Sequence, residues 1–246
     1  MSSGWSCLIT ETSITTFLTP SLVFLDYSSY VAQDYLVQFD DSLVEARLDI
    51  RLWKYYDHVL LPLPISYGYQ LSKHGEYWGD ATKLILGVSN VVTLHLSPDS
   101  LEVFYFCCNY MPQFNNLIKL SFESHKERGW QVLPLLLRKS PNLETLIIKG
   151  LVHKITNLCG DVCVCDHGKM MRSCCLLSCR VKVLKVYGYE GSCEELNQMR
   201  HFLKKLRFLK LVKVKVQEQV NYLSLTNDLT KLLSTASSNN CKIQFI

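Results

Sequence analysis

The chain has 246 residues, 26 Lys+Arg against 22 Asp+Glu, and is 48% hydrophobic and 20% charged. That length suits one domain or two closely fused ones, with a core that needs no metal or disulfide to hold it. The apolar share excludes a disordered chain, and 11 Gly with 7 Pro exclude a collagenous or linker-like one.

A net charge of +4 over this length does not point to nucleic acid as a partner. Residues 1–7 lack the positive segment and the continuous apolar run of a secretory signal. No stretch approaches the ~18 uncharged apolar residues of a membrane span, and no Asn-x-Ser/Thr site occurs. The expected location is therefore cytoplasmic or nuclear, with no membrane partner. Eleven cysteines, an odd number that includes the adjacent pairs Cys107-Cys108 and Cys174-Cys175, read as reduced and mostly buried thiols.

In chain order, a spacing of the form L-x-x-L-x-L recurs with loose apolar substitution. It runs through Leu22-x-x-Leu25-x-Tyr27, Leu43-x-x-Ala46-x-Leu48 and Val91-x-x-Leu94-x-Leu96. It continues through Leu117-x-x-Leu120-x-Phe122, Leu143-x-x-Leu146-x-Ile148, Val181-x-x-Leu184-x-Val186 and Leu206-x-x-Leu209-x-Leu211. The starts at 22, 43, 91, 117, 143, 181 and 206 fit the period of roughly 20–29 residues of leucine-rich repeats. The 48-residue gap reads as two units with one degenerate strand around 51–80. The 38-residue gap reads as one unit plus an insertion.

Between these strands, helices are predicted over 99–111, 126–139 and 192–206. The first turns Leu101, Phe104, Tyr105 and Cys108 inward, and the second Trp130, Leu133, Leu136 and Leu137. The third opens on Ser192 as N-cap with Glu194-Glu195 in its first turn and ends on Lys204-Lys205, each charge matched to the helix dipole. Strand plus helix, repeated, predicts an α/β leucine-rich-repeat solenoid, a curved parallel sheet with outer helices.

Candidate chemistry is sparse. The run Cys159-x3-Cys163-x-Cys165-x-His167, followed by Cys174, Cys175 and Cys179, has ligand types that suit tetrahedral zinc. No clean C-x2-C pair recurs, so inert or redox-prone thiols in a loop are the expectation, and no metal or cofactor is assigned. Asp57-His58 and Asp166-His167 are adjacent pairs without a nucleophile. Trp53, Tyr55, Tyr56, Tyr67 and Tyr69 read as packing of the degenerate unit ahead of a partner-binding cluster. The lysines and arginines from 180 to 215 read as a solvated strand face and a helix end, with Lys210-x-x-Lys213-x-Lys215 implying a bulge or strand end near Val212. No phosphate loop, G-x-S-x-G or H-E-x-x-H occurs, so the chain is not expected to be an enzyme.

Two segments are recognisable. Ser140-Pro141-Asn142-Leu143-Glu144-Thr145-Leu146-Ile147-Ile148-Lys149-Gly150 resembles the "SPNLE-L" repeat of plant F-box/leucine-rich-repeat proteins. Cys179-Arg180-Val181-Lys182-Val183-Leu184-Lys185-Val186-Tyr187-Gly188-Tyr189-Glu190-Gly191, running on through Glu194-Glu195-Leu196 to Phe202-Leu203, resembles the opening of the plant FBD domain. The closing Cys241-Lys242-Ile243-Gln244-Phe245-Ile246 is similar to the ending of FBD-associated F-box proteins. The resemblance implies leucine-rich repeats over 1–165, degenerate around 51–80, and an FBD-type domain over 166–246 that continues them.

It also implies a substrate-recognition subunit of an SCF-type ubiquitin ligase, whose repeats select a protein target. The N-terminal F-box such proteins use to dock on the SCF adaptor is not found in residues 1–40, which read as a repeat strand. The adaptor is therefore a doubtful partner, and a scaffold or competitor without a ligase role is the alternative. A zinc- or redox-dependent cysteine-rich protein is a further one. The x positions of the best-formed units supply the candidate partner-binding face: Ile118, Lys119, Ser121, Glu144, Thr145, Ile147, Lys182, Val183 and Lys185.

Overall fold

A computed structural model describes residues 14–39, 41–53, 79–156, 158–164, 175–217, 229–230 and 241–246. The chain starts with β1 (Ile14–Leu18), β2 (Phe24–Tyr30), β3 (Asp34–Gln38) and β4 (Glu45–Arg51). Helix α1 (Thr82–Gly87), β5 (Thr93–Leu96), α2 (Pro98–Phe106), β6 (Lys119–Glu123), α3 (Leu133–Arg138) and β7 (Thr145–Lys149) follow. A single 3-10 turn (Gly160–Val162) leads to α4 (Cys175–Ser178), β8 (Val183–Tyr189), α5 (Cys193–Lys205), β9 (Leu211–Val216) and β10 (Lys242–Phe245).

Eight of these strands form one sheet in the order β10-β9-β8-β7-β6-β5-β4-β2, and β1 and β3 pair separately. Every pairing is parallel. From β5 to β10 each strand of the large sheet therefore lies beside its predecessor, and β4 lies beside β2 because β3 pairs with β1 in the second sheet.

The register explains the apolar spacing. Leu25, Ala46, Leu94, Leu120, Leu146, Leu184 and Val212 pair in one line, and Tyr27, Leu48, Leu96, Phe122, Ile148, Val186 and Val214 in the next. All but the half-buried Tyr27 are buried. Successive strand residues point to opposite faces, so these two lines build the helix-side core. Phe122 meets Trp130 edge-on with ring centroids 5.5 Å apart, and Trp130 stacks at 6.4 Å on Phe202 of α5.

The same backbone device opens each strand from β4 to β9. The Val23 carbonyl accepts from the N–H groups of Val44 and Glu45, and Val44 from Val92 and Thr93. Val92 does so for Ile118 and Lys119, Ile118 for Glu144 and Thr145, Glu144 for Lys182 and Val183, and Lys182 for Lys210 and Leu211. Side chains add cross-links between units. Ser42 donates to the Pro20 and Leu22 carbonyls, and Asn142 of the Ser-Pro-Asn run donates to the Asn115 carbonyl 2.9 Å away. Ser100 of α2 is buried against β4, where it donates to the Leu48 carbonyl and accepts from Ile50 N–H, both at 2.8 Å. Its hydroxyl gives the Ile50 N–H a partner where β5 has ended, as a buried backbone donor requires.

Several expectations change in detail. Strand β4 pairs directly with β5, so the 48-residue gap adds no strand between them; most of 51–80 lies outside the described residues. The Leu206 frame is three residues early, because Val212 aligns with Leu184 and the unit is Leu209-x-x-Val212-x-Val214. With that frame Lys213 and Lys215 alternate with buried Val212 and Val214, and the register irregularity falls on β8, between Tyr187 and Tyr189. Helix α3 occupies only the end of 126–139, since Pro134 sits at its start and lacks the N–H that a longer preceding helix would need. Helix α2 stops at Phe106, with Cys107 as its cap.

Candidate functional site

The face of the sheet turned away from α2 and α5 carries the side chains between the core lines. The nine residues singled out by their repeat positions fall on three lines that cross β6, β7 and β8. Lys119, Thr145 and Val183 pair in register, as do Ser121, Ile147 and Lys185. Ile118, Glu144 and Lys182 stand one residue upstream, at the strand entries. Ile118 is exposed and Lys119, Glu144, Thr145, Ile147, Lys182, Val183 and Lys185 are partly exposed. Ser121 is 3% exposed, a small side chain between His95 and Ile147 on either side, and offers little to a partner.

Charge is graded across this face. At the β4 end, Arg47 bridges to Glu45 at 2.9 Å and Ser28 donates to Asp49 at 2.8 Å. His95 lies 3.4 Å from Glu45; burial pulls its pKa below the usual imidazole value although Glu45 opposes that. In the middle, Lys182 pairs with Glu144 at 2.5 Å and Lys149 pairs with Glu123. At the far end Lys185 stands opposite Lys213, and Lys215 opposite Tyr187. Like charges directly across a strand pair repel, so an acidic group placed over β8 and β9 gains most there.

Trp53 stacks on Tyr30 with centroids 4.6 Å apart, Arg51 lies 4.8 Å over the Tyr30 ring, and the Trp53 indole donates to the Val31 carbonyl. This accounts for Trp53 as packing on the edge strand. Tyr55, Tyr56, Tyr67, Tyr69 and both Asp-His pairs lie outside the described residues.

The cysteine region contains a grouping the one-dimensional spacing did not reveal. A ligand atom of His153 and the Sγ atoms of Cys159 and Cys163 all lie within 4.8 Å of one another. His153 stacks on Trp130 at 4.0 Å, nearly parallel, and its Nδ1 is 3.5 Å from the Leu151 carbonyl. Burial pulls its pKa down, which keeps the ring neutral. The loop is clamped to α5. Gln198 donates to the Val162 carbonyl and accepts from Val164 N–H, and His201 Nε2 is 2.7 Å from the Asp161 carbonyl.

Beside it opens a groove of about 490 Å³, lined in part by His153, Val164, Asn197 and His201. Cys165, His167 and Cys174 lie outside the described residues. Cys159, Cys175 and Cys179 are buried thiols outside any disulfide, and burial pushes Cys179 up to about 11. Cys163 is disulfide-bonded, which departs from a fully reduced set.

No protein-family model matches the chain, and no solved structure matches it. Comparison with curated proteins gives clear relatives, among them three from Arabidopsis thaliana. F-box protein At4g27050 is 53% identical over 232 residues, covering 93% of this chain and 48% of its own length. F-box/LRR-repeat protein At1g48400 is 47% identical over 249 residues, with 94% and 51% covered, and F-box/LRR-repeat protein At5g35995 is 44% identical over 245, with 93% and 50% covered. The chain thus spans about half the length of the curated relatives it matches.

Proposed function

We propose that this homologue of the plant F-box and F-box/LRR-repeat proteins is a protein-recognition module, the target-selecting part of an SCF-type ubiquitin-ligase receptor, with no catalysis of its own. In this reading the strands and their crossovers form a leucine-rich-repeat solenoid over 1–165, and an FBD-type unit over 166–246 continues the same sheet. The sequential parallel order and the recurring strand-entry carbonyl support that architecture. The observation that carries the functional reading is the open face of β6, β7 and β8. Its two lines of Lys, Thr, Val and Ile, with Ile118, Glu144 and Lys182 at the strand entries beside them, make a broad, mixed surface, unlike the enclosed, mostly apolar pockets that hold small molecules.

A photo-crosslinking amino acid at Ile147, on this face, is expected to capture a discrete protein from plant extract, and Lys182→Glu with Lys185→Glu to reduce the capture at short incubation. Capture from Leu135 on α3, with none from Ile147, would overturn the assignment of the face.

Within this span residues 14–18, 24–30, 34–38 and 45–51 form strands, so adaptor docking is not assigned to them. Calorimetric titration of this chain with the SCF adaptor is expected to give no heat, and tight 1:1 binding would overturn that.

A further inference from the structure

We propose that His153, Cys159 and Cys163 form a zinc site that the Cys163 disulfide keeps closed, so that the metal loads only after the chain is reduced. Three donors of the right chemistry converge there. Thiolate and imidazole together suit zinc, a borderline-soft ion, at bond lengths of about 2.3 Å to sulfur and 2.0–2.1 Å to nitrogen. Tetrahedral ligands at those lengths are roughly 3.3–3.8 Å apart, so the 4.8 Å spread closes with a side-chain adjustment of about an ångström.

The surroundings hold the donors in place. The His153 ring is fixed against Trp130, and an Nδ1–H aimed at the Leu151 carbonyl leaves Nε2 as the ligand, the arrangement in which a backbone acceptor orients a metal-bound imidazole. Thr156 Oγ1 lies 3.3 Å from Cys159 Sγ and can donate to its thiolate. The backbone on both sides of the ligands is tied down: Lys154 N–H donates to the Arg128 carbonyl, and Asp161 accepts from Leu176 N–H at 3.2 Å and from the Cys175 thiol at 2.9 Å. The groove lined by His153 lets water complete the fourth position.

The disulfide supplies the switch, because a sulfur held in an S–S bond is no thiolate ligand. A dithiol reductant opens it by exchange. One of its thiolates attacks the S–S bond to give a mixed disulfide, and its second thiol resolves that to a disulfide within the reductant. The protein gains two electrons and two protons, as the Cys163 thiol and that of its former bonding partner. Zinc then displaces the protons of Cys159 and Cys163 and binds both thiolates and the neutral imidazole.

The test uses the full chain and cobalt as the spectroscopic stand-in for zinc. After reduction and removal of reductant under argon, the wild type is expected to bind Co2+ 1:1, with thiolate-to-metal charge-transfer and tetrahedral d–d bands that Zn2+ abolishes. The oxidised chain should show neither. Cys159→Ala and Cys163→Ser should each lose the bands, and His153→Phe, which keeps a ring on Trp130, should weaken binding by at least about tenfold.

Because a core variant can fail to fold, Zn2+ protection of Cys159 and Cys163 from alkylation is also read by mass spectrometry in the reduced wild type. Protection of both supports the site. Absence of bands and protection in the reduced chain, or bands that persist in both cysteine variants, overturns it.

Discussion

Leu146 and Leu184 sit at the fourth position of their repeats and are 1% and 0% exposed, paired in register on the helix side. Replacing either by Ala removes buried methyls and leaves a cavity, so each change is expected to cost about 2–5 kcal/mol, measured as a lower urea midpoint at unchanged slope. Six of the seven L-x-x-L-x-L units were readable to the residue, because the two core lines demand apolar side chains at a fixed spacing. The seventh misled because Leu206, which caps α5, supplies a leucine in the wrong frame while the core lines of β9 are Val212 and Val214. The burial of Ser121 was not readable either. Nothing in the repeat spacing distinguishes an x position covered by its neighbours from one open to a partner.

Helix α5 was legible end to end, since its start and stop are both chemical. Ser192 accepts from Glu195 N–H at 3.2 Å while the Glu195 carboxylate accepts from Ser192 N–H at 3.1 Å, a complete capping box. Ser192→Ala is expected to lower stability by about 1 kcal/mol, with Ser192→Thr restoring most of it, read by urea denaturation. The clamp between α5 and the 160–164 loop was not legible, because Gln198 and His201 meet that loop only in three dimensions. The same holds for the His153 grouping, where the histidine precedes the cysteine-rich run that caught the eye.

His201 is held neutral chiefly by burial, although its contact with Asp161 opposes the shift. Its folded pKa lies below the unfolded value of about 6.5, so its stabilising contribution is complete above 6.5 and is lost as pH falls from there through the folded value. Metal-free protein should therefore melt more easily at pH 5.5 than at 7.5. Part of that difference should vanish in His201→Gln.

For the whole molecule, the parallel sheet followed from strands recurring with crossovers between them. The separate β1–β3 pair did not, because short strands with exposed Ile14, Leu18 and Leu36 lack the repeat spacing. The direct β4–β5 pairing is likewise a matter of which strands meet, and the length of the connecting chain does not reveal it. The charge gradient across the open face bears on association. Once a target is in hand, Lys185→Glu is expected to slow its association and flatten the salt dependence of the rate, with less effect on dissociation, measured by stopped flow. Lys182→Glu should act similarly but also sets two carboxylates side by side, and adding Glu144→Lys should restore that exposed pair, worth about 0–1 kcal/mol to the fold.

The forked carbonyl at the entries of β4 to β9 belongs to Val23, Val44, Val92, Ile118, Glu144 and Lys182 in turn, so it asks nothing of the side chain. Aliphatic, acidic and basic residues all occupy that place. Folding and reading are therefore written in separate alphabets: the backbone and the two core lines set the scaffold, and the entry positions are left free to vary. A lineage of such proteins could change what it recognises at these sites by single substitutions, with little penalty in stability. Relatives would then be expected to diverge there first while the leucines beside them stay fixed.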